Sequence, residues 1–366
     1  ILAEKGQSGP ALMFYGHMDT VGSSAWVSDL DALTPKMIES CEQPGRNLLF
    51  GLGANDMKAG LSVMCTALAG INPDGFRIKV AFGVDEEFYS LGANVLAASD
   101  FMDGVAALVV PELGDGPNPC HGVGTICLGR LGRCEFEIIV PGTGGHGAES
   151  MMPGLVNAAT DCAKIVVELE RRRRKHRDRF RFFSGRIPGG SARRTIDGSF
   201  FVSKVESGDG TLSVPCSGRI VVDWTFTPEY SIDKALNLLQ DTLDNMYRKG
   251  LLKPVIVSGQ ERRVSVSAKN RPTPHSEAFI THSKHSFVHF LRSVIGLSHT
   301  FVNFNMGYSV ADENVFHRIH PEVPLVVIGP VGRNCHRADE WVDVSSVTDL
   351  EQVFRRLAEE FPGYLR

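Results

Sequence analysis

Cysteine is scarce in this sequence. There are eight in 366 residues (Cys41, Cys65, Cys120, Cys127, Cys134, Cys162, Cys216 and Cys335), and none forms a Cys-x-x-Cys pair. That excludes a disulfide framework and a thiolate zinc site, and it implies reduced thiols and a cytoplasmic setting. Long apolar runs are also missing: none approaches the ~20 residues of a membrane span. Net charge is small, −4 from 38 Lys and Arg against 42 Asp and Glu, which argues against a nucleic-acid-binding class. The chain starts at Ile1 with no basic-then-apolar leader, so the expectation is a chain that begins inside something longer or processed. No internal repeat is visible.

What is present is the composition of a globular protein, 43% hydrophobic and 22% charged, with enough residues for about two domains. The first third reads as α/β. Ala11 to Tyr15, Leu48 to Phe50, Ile78 to Gly83 and Ala106 to Val110 are near-continuous apolar runs, as in strands of a sheet covered on both faces. Met57 to Ala69 and Leu91 to Ala98 read as helices between them. The middle reads β-α-β-β-α-β: strands at Cys134 to Val140, Ser199 to Val205, Arg219 to Phe226 and Arg263 to Ala268, with helices at Leu155 to Arg174 and Ile232 to Tyr247. That order is the ferredoxin-like split unit. The α/β rhythm resumes with a helix at His285 to Ile295, a strand at Leu325 to Gly329 and a helix at Val347 to Phe361. The expected architecture is an α/β domain with a mostly parallel sheet (residues 1–129 and 271–366), interrupted by a ferredoxin-like insert (residues 130–270). The basic run Arg171 to Arg194 reads as a solvated helix end, where cations suit the helix dipole, rather than as an RNA or lipid patch.

In open α/β sheets, ligands bind beyond the carboxyl ends of the strands. Each apolar run here is followed by a side chain able to bind metal: His17 and Asp19 after the first, Asp56 after the second, Asp85, Glu86 and Glu87 after the third, Glu112 after the fourth, and His336 after the last. Singly, each has an ordinary explanation: a hydrogen-bonded core histidine, a helix cap, a loop carboxylate. Together, at one sheet edge, the carboxylates would repel one another by several kcal/mol unless a cation neutralised them. Imidazoles and carboxylates without thiolate suit zinc, cobalt or manganese. Their number exceeds what one catalytic zinc takes and fits two ions sharing a bridging carboxylate. Asp19, two residues after His17, is spaced to accept the ring N–H that a metal-bound His17 would leave over.

The ordered segments HMDT, GLGANDMKAG, VDEEFYSLGA, VVPE, GTGGHGAESMMPGLVNA and GPVGRNCHRADEWV resemble the co-catalytic zinc family of acetylornithine deacetylase, succinyl-diaminopimelate desuccinylase, aminoacylase-1 and glutamate carboxypeptidase. The resemblance implies that His17, Asp56 and Glu112 hold one zinc. Asp56, Glu87 and His336 would hold the second, with Asp56 bridging. It makes Glu86 the general base and His146 a carbonyl-polarising residue that reaches a neighbouring site in a homodimer formed through the insert. It also implies a small N-acyl amino acid or short peptide as substrate, hydrolysed at its amide bond; charge and hydropathy add the expectation of no nucleic-acid or membrane partner. Arg271, before Pro272-Thr273-Pro274, is a candidate for gripping a substrate carboxylate by position only. Relatives carry a helix and strand before the first metal histidine, whereas sixteen residues precede His17 here. The expectation is therefore that the catalytic domain lacks its N-terminal part.

Overall fold

Strand Ala11–His17 is buried at all seven positions, because its two faces meet different cores. Leu12 and Phe14 pack with helices Ala59–Ala69, Ser286–Gly296 and Val344–Tyr364, and the Phe14 and Phe354 rings lie 4.8 Å apart. Ala11, Met13 and Tyr15 face helices Leu91–Ala97 and Asp312–Ile319. A strand apolar on both faces is what a sheet sandwiched by helices requires. This computed structural model describes residues 1–42, 44–112, 122–175, 178–187, 190–298 and 302–366.

The chain divides into two compact units: residues 1–130, 181–194 and 279–366 form the first, residues 131–180 and 195–278 the second. The first is built on an eight-stranded mixed sheet in the order Leu2–Lys5, Arg77–Gly83, Ala11–His17, Val105–Val110, Leu325–Val327, Thr125–Arg130 and Phe279–Ile280, with Asn303–Gly307 also pairing Thr125–Arg130. Strands 77–83, 11–17, 105–110 and 325–327 run parallel, so their carboxyl ends share one edge. Residues 2–5 form an antiparallel edge strand that periodicity did not reveal. Among the described residues, no helix is long and apolar enough to cross a membrane.

One expectation fails here. Leu48 to Phe50 is not part of the central sheet. It lies in Asn47–Phe50, within a separate antiparallel sheet ordered Gly332–Arg333, Trp341–Asp343, Asn47–Phe50, Lys36–Glu39. Asp56 and His336 therefore follow strands of this small sheet, and the site draws on two sheets rather than one edge of one. A four-residue apolar run looks alike in either setting, and only its partners distinguish them.

The second unit has an antiparallel four-stranded sheet in the order Ser199–Ser207, Ser217–Phe226, Gly132–Pro141, Ser265–Ala268. In the β-α-β-β-α-β series this is strand order 2-3-1-4, the ferredoxin-like arrangement. Cys134, Phe136, Ile138 and Val140 alternate inward and pack against helices Ala158–Lys175 and Ile232–Arg248.

The basic run is only partly a helix end. Arg171 and Arg173 pair with Glu168 and Glu170 one turn back. From Arg179 onward the chain instead forms a hairpin, Arg179–Ile187 with Gly190–Asp197, and Arg179 pairs with Asp197 across it. His176, Arg177, Pro188 and Gly189 of that run, and Cys120, lie outside the described residues. The seven described cysteines form no disulfide.

Candidate active site

Four side chains, His17, Glu86, Glu87 and Glu112, come from the carboxyl edge of the central sheet. His17 is the last residue of its strand and is 1% exposed. It pairs in register with Gly83, where a Cβ would overlap the Tyr15 hydroxyl, so only glycine lets the two strands end side by side. Beyond Gly83 the chain turns sharply: Asp85 has φ +68°, and its carboxylate accepts from Leu91 N at 3.1 Å at the head of the next helix. Glu86 and Glu87 lie within this turn. Glu112 is buried two residues after strand 105–110.

The small sheet supplies the rest. The ordinary alternative for Asp56, a helix cap, does not apply: helix Ala59–Ala69 begins three residues later and Asp56 itself is extended (φ −117°, ψ 91°). Its preceding loop is pinned by Glu340, which is 1% exposed. The Glu340 carboxylate accepts from Gly53 N (2.8 Å), Asn55 N (2.8 Å) and Asp56 N (2.9 Å). His336 sits in the left-handed region at φ +60° with its side chain 53% exposed.

Asp56 is the centre of the arrangement. Its Oδ1 stands 3.1 Å from His17 Nε2 and its Oδ2 3.2 Å from His336 Nε2. His336 Nε2 is also 3.0 Å from Glu87 Oε2. Asp56, Glu87 and His336 each offer a ligand atom, all within 4.8 Å of one another, the one such group found among the described residues. One carboxylate divided between two imidazoles is the geometry of a bridging ligand.

Asp19 contributes differently from expectation. The acceptor near His17 Nδ1 is its backbone carbonyl at 3.1 Å, while its carboxylate oxygen stands at 3.6 Å. The other carboxylate oxygen accepts from Glu87 N at 3.2 Å. Asp19 thus ties the His17 strand end to the Glu87 turn. Glu112 is not in the three-ligand group; its Oε1 lies 2.9 Å from Arg130 Nη2. His146 and Arg271 belong to the second unit. His146 is exposed, and its Nδ1 accepts from Ala148 N. Arg271 donates to Thr273 Oγ1 at 3.2 Å.

Three contributors were given no role by sequence reasoning. Glu340 was visible only as a carboxylate beyond His336. Arg130 ends an apolar strand with nothing to mark its role. Asp312 accepts from the Tyr15 hydroxyl beneath the site, a pairing between residues 297 positions apart.

The electrostatics follow from packing acids and imidazoles together. Burial works against a charged His17, yet hydrogen bonds to Asp19 and Asp56 and the field of Glu86 and Glu112 push its pKa up to about 12. Hydrogen bonds to Asp56 and Glu87 raise His336 to about 10. Burial also opposes a charged Asp56, but the two histidines hold it below the usual carboxylate range. Burial, then Asp312, push Glu86 well above that range. Burial raises Glu112 well above it despite Arg130, and raises Asp312 to about 6. Imidazoles held protonated among carboxylates mark a site short of positive charge, and bound divalent cations would displace those protons. The donor set, two Nε2 atoms and several carboxylates without thiolate, fits a pair of such ions.

Residues 13–360 match the family described as Peptidase family M20/M25/M40. The succinyl-diaminopimelate desuccinylase of Methylobacterium radiotolerans is 25% identical over 99% of this chain and 84% of its own length. The enzyme of the same name from Rhodopseudomonas palustris (strain BisB5) is 23% identical over the same shares. Among solved structures, aminopeptidase PepT from Bacillus cereus superimposes with a TM-score of 0.66 at 17% identity, over 99% of this chain and 84% of that one. The Bacillus subtilis YXEP protein, described as a dinuclear metal binding peptidase, gives 0.65 at 14% identity, over 98% and 83%. By sequence match over nearly its whole length, the chain belongs to peptidase family M20/M25/M40 and is a metal-dependent hydrolase of amide bonds.

Proposed function

We propose that this hydrolase removes the acyl group from a small N-acyl amino acid, as a desuccinylase or deacetylase, using two divalent ions, zinc in the first instance. The observation that carries the reading is the division of the Asp56 carboxylate between His17 and His336. In this reading His17, Asp56 and Glu112 hold one ion and Asp56, Glu87 and His336 the other. When bound, the ions supply Lewis acidity for the substrate carbonyl and for an attacking water.

The chain's own residues do the proton work. Glu86 adjoins ligand Glu87 and accepts the proton of the water whose oxygen attacks the acyl carbon. As the C–N bond breaks, Glu86 returns that proton to the leaving amine nitrogen. Its upward-shifted pKa, set by burial and by Asp312, suits a group that must carry a proton between the two steps. Asp19 orients His17 and the Glu87 turn. Asp56 is preset by the three N–H bonds to Glu340 before any ion arrives.

The second unit is assigned as lid and homodimerisation domain. Strand Ser199–Ser207 lies at the end of its sheet order and exposes Phe201 and Val205, an edge suited to pairing with a second copy. His146, exposed on a glycine-rich turn, is assigned to the substrate carbonyl of the neighbouring protomer, and Arg271 to a substrate carboxylate.

The test is Glu86→Gln on the full chain, assayed on N-succinyl and N-acetyl amino acids beside di- and tripeptides. The expected result is hydrolysis of the acyl amino acids by the parent, a loss of at least about a hundredfold in the variant, and an unchanged metal content. Turnover surviving in Glu86→Gln would overturn the mechanism. Preferential cleavage of peptides would replace the deacylase assignment with a peptidase.

A further inference from the structure

Arg130 is a fully buried guanidinium, 0% exposed, at the end of strand Thr125–Arg130. Such a cation must be matched by anions or it is strongly unfavourable. Two carboxylates match it. Nη2 lies 2.9 Å from Glu112 Oε1 and 2.9 Å from Glu313 Oε1, and Nη1 reaches Ser309 Oγ at 3.4 Å. Glu313 is itself fully buried in the first turn of helix Asp312–Ile319. The space for the guanidinium comes from Gly307, paired with Arg130 in register, where a Cβ would press on Arg130 Cγ and Nη1 at 3.1 Å.

Glu112 is thus clasped from behind. Glu313 and Ser309 fix the guanidinium, and the guanidinium fixes one oxygen of a carboxylate assigned to a metal. The other metal position has no such dependence: the Asp56, Glu87 and His336 side chains contact one another, and the Asp56 backbone is held by Glu340. We propose that Arg130 is a positioning residue for Glu112, so that occupancy of the His17–Asp56–Glu112 position depends on Arg130 while that of Asp56–Glu87–His336 does not. This rests on the two-ion reading above.

The experiment uses the full chain stripped with chelator, then titrated with Co²⁺ or Zn²⁺ by calorimetry, with bound metal counted by elemental analysis. The parent should take up two ions. Arg130→Met should keep the affinity of one ion and weaken the other about tenfold or more, the usual effect of losing a partner behind a ligand. Arg130→Lys, which keeps the charge but not the fork, should fall between them. Two ions bound to Arg130→Met at parental affinity would overturn the proposal and leave the two-ion reading standing. Equal weakening of both ions would overturn it in favour of a general structural role. A parent that binds fewer than two ions would remove the two-ion reading itself, and the proposal with it. If Arg130→Met does not fold, Arg130→Lys decides: weakening confined to one ion supports the proposal, and unchanged or equal binding overturns it.

Discussion

The carboxylate of Glu340 carries the loop that presents Asp56, and its replacement gives the sharpest test of how the site is built. In Glu340→Gln the amide oxygen can keep the Oε1 position and still accept from Asn55 N and Asp56 N. The amide NH₂ then faces Gly53 N–H, which had donated to Oε2 at 2.8 Å, so a donor meets a donor. A hydrogen bond to a charged acceptor contributes about 1.5–3 kcal/mol, and a buried orphan donor costs about 1–3 kcal/mol. Against that stands a relief, because burial already pushes the Glu340 pKa up and the neutral amide escapes that desolvation. The net expectation is a loss of about 2–3 kcal/mol for Glu340→Gln, and of at least about 4 kcal/mol for Glu340→Ala, which orphans all three donors. Urea denaturation of the metal-free protein measures the loss. Metal titration should show affinity at Asp56–Glu87–His336 reduced about tenfold. A Glu340→Gln variant with unchanged stability and unchanged metal affinity would refute the reasoning.

Three further outcomes follow from the same geometry. In the metal-free protein, His17 and His336 are raised to about 12 and about 10, above their unfolded value near 6.5. Their contribution to stability is therefore fully present below about pH 6.5 and is lost as pH rises towards 10 and beyond; urea midpoints that rise between pH 7 and 10 would contradict this. Metal affinity has the opposite sign, since protons leave both imidazoles when ions bind, so apparent affinity should climb with pH over that window in a competitive chelator assay. Gly83→Ala places a Cβ on the Tyr15 hydroxyl beside His17, and should cost about 1–3 kcal/mol in denaturant unfolding while disturbing the Tyr15–Asp312 pair.

The placement of four of these side chains was legible because parallel strands have a direction. An apolar run followed by histidine or acid places that side chain at the carboxyl edge wherever the strand sits in the sheet. His17, Glu86, Glu87 and Glu112 were found that way. The β-α-β-β-α-β order was equally readable, since Gly132–Pro141 alternates between buried and wetter positions along its length.

Strand membership was not legible. Asn47–Phe50 and Ala11–His17 differ in their partners, not in any local pattern that a four-residue run can display. The hairpin after Arg179 was missed because its charged residues obscure the period of two; it is defined by cross-strand pairing such as Arg179 with Asp197.

The sequence by itself thus determined which residues can bind cations and roughly where on a strand each stands, because side-chain chemistry and strand period are local. The tertiary structure decided which atoms meet. It placed the two oxygens of Asp56 against two histidines drawn from different sheets. It set Glu340 under the Asp56 loop across 284 positions and Arg130 behind Glu112 with Glu313. Those pairings arise from burying charged groups far apart in the chain, where only close packing creates the need to neutralise them.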